Sequence, residues 1–230
     1  MTSRLPIRIA AVTAPLLAAA VAWLAFGPSP ASALDGDKPQ TADQFLTTVI
    51  QDVDGYWTKQ FADAGLPEPR VSYQWVPTGQ AAEYHPEDDT IYVSKQFATA
   101  IYNGALDDML PGSSQGYGRA AGDFAVAYIV AHEYGHEIQD ELGLLDRGIP
   151  TKSLELQADC YAGAWAKSAD DAKRLDPGDV DEAIEAALAV GDFDTSNPAH
   201  HGTPEERSDA WQTGFQADGP AACDTFLQAS

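Results

Sequence analysis

Positive charge is scarce in this 230-residue chain: 13 Lys and Arg stand against 35 Asp and Glu, a net charge of −22. A surface so acidic repels phosphate backbones and anionic headgroups, which removes nucleic acid and peripheral membrane surfaces from the expected partners. Cysteine is scarcer still, with only Cys160 and Cys223. Neither has another cysteine nearby, which argues against Cys-ligated zinc. The chain carries no internal repeat and no low-complexity tract. Long apolar runs are missing too, save one near the N-terminus.

That exception reads as an export signal. Arg4 and Arg8 are the only early charges, and the apolar run Ile9–Phe26 follows them. Next come Gly27-Pro28-Ser29-Pro30 and an A-x-A site, Ala31-Ser32-Ala33. Residues 1–33 are therefore expected to be a signal peptide, cleaved before Leu34. The alternative is an uncleaved membrane anchor, since the run is just long enough to span a bilayer. Both place the body of the protein outside the cytoplasm, secreted or tethered. Without the leader the body keeps 11 Lys and Arg against 35 acids, a net −24. An even cysteine count in an oxidising compartment predicts a Cys160–Cys223 disulfide. On the loop-entropy model such a bridge is worth about 4 kcal/mol.

Residues 34–40 read as a linker and 41–230 as a single domain. Thr41 and Gln44 make a capping-box signature, and Phe45, Val49, Val53, Trp57 and Phe61 then recur every four residues up to Gly65. Two strand-like runs follow, Val71–Val76 and Thr90–Ser94, expected to pair as a small antiparallel sheet. Ile91–Ser94 is a candidate edge strand for an extended peptide, with an ordinary hairpin as the plainer reading. A short helix is expected over 95–102, then a glycine-rich loop over 103–122 that could frame a cleft. Further helices are expected from Asp123 to Gly143, Ser153 to Ala169, Asp176-Pro177 to Val190, and Thr203 onward.

The chemistry concentrates in His132-Glu133-Tyr134-Gly135-His136, an H-E-x-x-H pattern. On a helix the two histidines fall one turn apart on one face, where both imidazoles reach one metal ion, and Glu133 lies between them to act on a water. A catalytic zinc needs a third protein ligand. The metzincin arrangement fails, because positions 139 and 142 are Gln and Leu. The alternative is a carboxylate from the next helix. Glu155 is the first candidate there, with Asp159 one turn later as an acceptor for a ligating imidazole N–H. His201, His200 and His85 compete with Glu155 for the third place. Gly135, inside the helix, predicts close approach by another element.

Three blocks resemble a known family. They are Gly122-Asp123-Phe124-Ala125-x-Ala127-Tyr128-x-x-Ala131-His132-Glu133-x-Gly135-His136, then Leu154-Glu155-Leu156-Gln157-Ala158-Asp159-Cys160-Tyr161-Ala162-Gly163, then His201-Gly202-Thr203-x-Glu205-x-Arg207. Together with Cys223-x-Thr225-Phe226 they are similar, in the same order, to the neutral zinc metallopeptidases of bacteria. The resemblance implies a mainly helical α+β, zincin-like fold with a small sheet against the motif helix. It also implies a gluzincin-type site holding one zinc per chain on His132, His136 and Glu155, with Glu133 as the catalytic carboxylate. Two departures stand out. Glu137 occupies a place where the family commonly has His, and Tyr84-His85-Pro86 stands where it commonly has Tyr-Cys-Pro.

The expected activity is hydrolysis of peptide bonds in a peptide or unfolded protein substrate, with Glu133 as general base and then acid. An oxyanion donor is also needed. His201 is the first candidate for that role or another substrate contact, then Tyr161 and Arg207, the last better read as a structural ion pair. The rival reading is a non-catalytic exported binding or scaffold protein that keeps the fold. Retention of Glu133 argues against it, since a purely structural metal site has no use for that carboxylate.

Overall fold

The computed structural model describes residues 41–79, 82–104 and 122–228. The expected leader, the linker and most of the glycine-rich loop lie outside them. Helix α1 (Ala42–Ala64) opens on the expected capping box: Thr41 Oγ1 accepts from the Gln44 amide, and Gln44 Oε1 accepts from the Thr41 amide. Phe45, Val49, Val53, Trp57 and Phe61 are all buried, so the four-residue stripe is the core face.

Strands β1 (Ser72–Val76), β2 (Ala82–His85) and β3 (Thr90–Ser94) form one sheet in the order β1-β3-β2. This corrects two expectations. The runs at 72–76 and 90–94 pair in parallel, not as a hairpin, because β2 lies between them in sequence and takes the antiparallel place beside β3. Strand β3 is consequently central, with Thr90, Ile91, Val93 and Ser94 buried, so it cannot be the peptide-binding edge. The edge nearest the motif helix is β2. Its Ala-Glu-Tyr-His sequence carries little β preference and gave no strand signal.

Helix α2 (Lys95–Tyr102) leads toward α3 (Asp123–Glu141), the central element. Fourteen of the 19 residues of α3 are buried, so it is enclosed on nearly all sides rather than along one stripe. Its C-terminus closes with a Schellman arrangement: the Gly143 amide donates to Asp140 and the Leu144 amide to Gln139, with Gly143 at φ 63°. Helices α4 (Thr151–Asp171), α5 (Asp179–Val190), α6 (Pro204–Phe215) and the short α7 (Thr225–Gln228) follow. Helix α5 starts after Pro177 rather than on it. Gly178 takes φ 117°, and the Asp179 carboxylate turns back to accept from the Asp176 amide at 2.8 Å.

Close helix contacts bring the chemistry together. A Cβ on Gly135 would sit 2.9 Å from the Cα of Ala158, so α4 crosses α3 there at backbone distance. A Cβ on Gly214 of α6 would collide with the Cys160 carbonyl of α4. The expected disulfide between Cys160 and Cys223 fastens the C-terminal 3₁₀ turn (Pro220–Asp224) to α4. Among the described residues, no helix is long and apolar enough to cross a membrane. The disulfide fits an extracytoplasmic setting.

Candidate metal centre

The crossing at Gly135 and Ala158 sets Glu155, one turn before the contact, against the two histidines. Ligand atoms of His132, His136 and Glu155 all lie within 4.8 Å of one another. His132 Nε2 is 3.2 Å from Glu155 Oε2, and His136 Nε2 is 3.5 Å from Glu155 Oε1. His132 is buried and the other two nearly so.

The opposite ring nitrogens are engaged elsewhere. His132 Nδ1 lies 2.9 Å from Asp159 Oδ1. His136 Nδ1 lies 2.9 Å from Gln139 Oε1. The Gln139 amide cannot be turned the other way, because its Nε2 donates to the Leu154 carbonyl at 2.7 Å and to Gln157 Oε1. Its oxygen therefore faces His136, whose Nδ1 must carry a proton. Both imidazoles thus turn Nε2 toward Glu155, where a metal ion would take the place of a proton. Gln139 was readable in sequence only as a residue three positions past His136 on the same face.

Asp159 is wholly buried and heavily bonded. It accepts from Tyr128 Oη at 2.6 Å and from Arg207 Nε and Nη2 at 2.8 and 2.9 Å. Burial opposes its charge, but Arg207 and then His132 hold its carboxyl below the usual range. Burial equally opposes a charged His132, yet Asp159 outweighs this and pushes the imidazole up to about 9. Glu155 is held well below the normal carboxylate range against the same cost of burial, chiefly by His136.

Glu133 lies close to both histidines, and its Oε2 accepts from the backbone amide of Tyr84 at 2.9 Å. Burial raises its pKa, with the two histidines pulling back. A carboxylate of raised basicity therefore stands beside the candidate metal ligands, steadied by the edge strand. Nothing in the sequence marks Tyr84 for this, because the donor is main chain. The neighbouring Glu137 is fully buried with neither oxygen partnered among the described residues; burial pushes it up to about 9, so it is a neutral acid at pH 7.

The other sequence candidates fall elsewhere. His85 lies between Glu83 and Glu87. His200 is buried with Nδ1 2.6 Å from Asp192 Oδ1. His201 is half exposed; its amide donates to Asp192 Oδ2, and its Nδ1 lies 3.6 Å from the same oxygen. Tyr161 is buried with its ring edge-to-face on Trp57. Arg207 is the ion pair that its sequence setting suggested.

Two histidines of an H-E-x-x-H helix and a glutamate on the following helix thus form a group that could hold a metal ion. Comparison with known proteins gives the family. The chain belongs to the family described as putative neutral zinc metallopeptidase, whose model matches residues 27–226. It is 30% identical to uncharacterized protein YpfJ of Escherichia coli K12, over 80% of this chain and 71% of that one. It is 34% identical to uncharacterized protein Rv2575 of Mycobacterium tuberculosis, over 64% of this chain and 55% of that one. No solved structure matches.

Proposed function

We propose that this protein is an exported zinc peptidase that hydrolyses peptide bonds in extended or unfolded polypeptide. One observation carries the reading: two imidazole Nε2 atoms and one carboxylate converge while each Nδ1 is held by another side chain. Two nitrogens and one oxygen suit zinc, and three protein ligands are what a catalytic zinc keeps. Bound there, zinc supplies Lewis acidity, polarising a carbonyl and making a water acidic near neutral pH.

The remaining work falls to the chain itself. Glu133 takes the proton from the attacking water and returns it to the departing amine. The Tyr84 amide fixes the carboxylate from which that proton moves. Strand β2 is a sheet edge beside this carboxylate, so an extended substrate can pair with its backbone groups other than the Tyr84 amide, which Glu133 takes. For the oxyanion or another substrate contact the half-exposed His201 is the candidate, with its Nδ1 3.6 Å from Asp192 Oδ2.

The test is metal analysis of the purified protein with hydrolysis of an unfolded polypeptide before and after chelation. The reading expects one zinc per chain and activity that chelation abolishes and zinc restores. A protein that cuts equally well without metal would contradict it.

A further inference from the structure

Asp159 holds His132, but a carboxylate can turn about its own side-chain bonds, so something must hold Asp159. That group comes from a third helix. The guanidinium of Arg207 on α6 is buried and forks onto both oxygens, with Nε on Oδ2 at 2.8 Å and Nη2 on Oδ1 at 2.9 Å. Nη2 also lies 3.5 Å from Glu155 Oε2. Its distance to the two ring nitrogens of His132 is 3.3 Å in each case. Equal distances of that size are impossible in the ring plane without striking the carbon between the nitrogens, so Nη2 sits over the ring face. The contact is a cation on a π surface rather than a hydrogen bond to Nε2, and it leaves the in-plane lone pair free.

We propose that Arg207 is a positioning residue of the metal centre: its fork sets the plane of Asp159, and its third contact packs the His132 ring, so that α6 aims a ligand it does not itself supply. The inference rests on the zinc reading above and deepens it. The plainer role, an ion pair joining α4 to α6, has little left to do. Those helices already meet at Gly214 and Cys160, the disulfide anchors the segment after α6 to α4, and a buried ion pair is a weak source of net stability. The local structure is also arranged for aim. The Thr203–Glu206 capping box starts α6 at Pro204, three residues before Arg207, and Gly202, at φ 107°, leaves room where a Cβ would meet Leu156 and the Arg207 stem.

The experiment compares the full exported chain with Arg207→Met and Arg207→Lys. Zinc affinity is measured by competition with a chromophoric chelator, ligand geometry by the visible spectrum of the cobalt(II)-loaded protein, and fold by metal-free melting. Arg207→Met is expected to lose about 10- to 100-fold in zinc affinity and to change the cobalt spectrum. Arg207→Lys keeps the charge but not the fork and should fall between. In an Asp159→Asn background, Arg207→Met should add little, since both act through His132. If the methionine variant does not fold, the lysine variant decides. Lower melting with unchanged metal affinity and cobalt spectrum would overturn the inference alone. A wild-type protein that binds neither ion would overturn the zinc reading and this inference together.

Discussion

Gln139 holds His136 through a hydrogen bond of 2.9 Å from Nδ1 to Oε1, and its own orientation is dictated by the Leu154 carbonyl on the next helix. The candidate metal centre is thus aimed from outside at both histidines: by Gln139 for His136, and by Asp159 for His132. Replacing Gln139 with Leu keeps the volume but removes the acceptor. Zinc affinity should fall by roughly 10-fold or more. The Leu154 carbonyl and Gln157 Oε1 each also lose a donor, so stability should drop by about 1–3 kcal/mol. Chelator competition and urea denaturation measure the two effects separately.

Gly135 decides how near α4 can come. In Gly135→Ala the new methyl would meet Ala158 backbone at 2.9 Å, and backbone cannot yield as a side-chain tip can. The helices must part, costing about 1–3 kcal/mol. Glu155 should move away from the histidines with them. Denaturant unfolding and zinc affinity are expected to fall together in this variant. A variant as stable as wild type would mean the two helices do not pack as described.

How much of this was legible in sequence varies with the kind of interaction. Helices α1 and α6 announced themselves through Thr41–Gln44 and Thr203–Glu206, where capping is local chemistry. The convergence of His132, His136 and Glu155 was legible because the H-E-x-x-H spacing asks for a third polar side chain from a neighbouring helix. Strand β2 was not, since Ala82–His85 becomes a strand only by pairing with β3, a tertiary event. The Tyr84 amide, which holds Glu133, belongs to the backbone and leaves no trace in residue identity. Gln139 was visible but seemed merely to exclude another metal scheme.

Asp179 gives a pH dependence away from the metal. It is buried, and its carboxylate lies within 4.8 Å of those of Asp123 and Glu182. Burial, then Asp123 and Glu182, push it from 3.8 up to about 7, against the Asp176 amide that steadies its charged form. A carboxyl raised in the fold contributes its stability fully below about 3.8 and loses it as pH rises through about 7. Asp179→Asn keeps an acceptor for the Asp176 amide and removes the charge. At pH 8, in chelator, it should be more stable than wild type by about 1–2 kcal/mol, with the gap closing toward pH 4. Chemical denaturation across pH measures this.

The Cys160–Cys223 bridge closes a 63-residue span. Paired Cys160→Ser and Cys223→Ala substitution should cost about 2–4 kcal/mol, chiefly through the unfolded chain. Two free thiols on titrating denatured, unreduced wild-type protein would contradict the bridge.

In the proposed reaction Glu133 moves the proton during peptide hydrolysis. The direct measurement is digestion of a peptide library by wild type and by Glu133→Gln at matched zinc content. Glutamine can still face the Tyr84 amide but cannot accept the proton, so cleavage should fall by roughly 100-fold or more with zinc retained. Full cleavage by the glutamine variant would contradict the account.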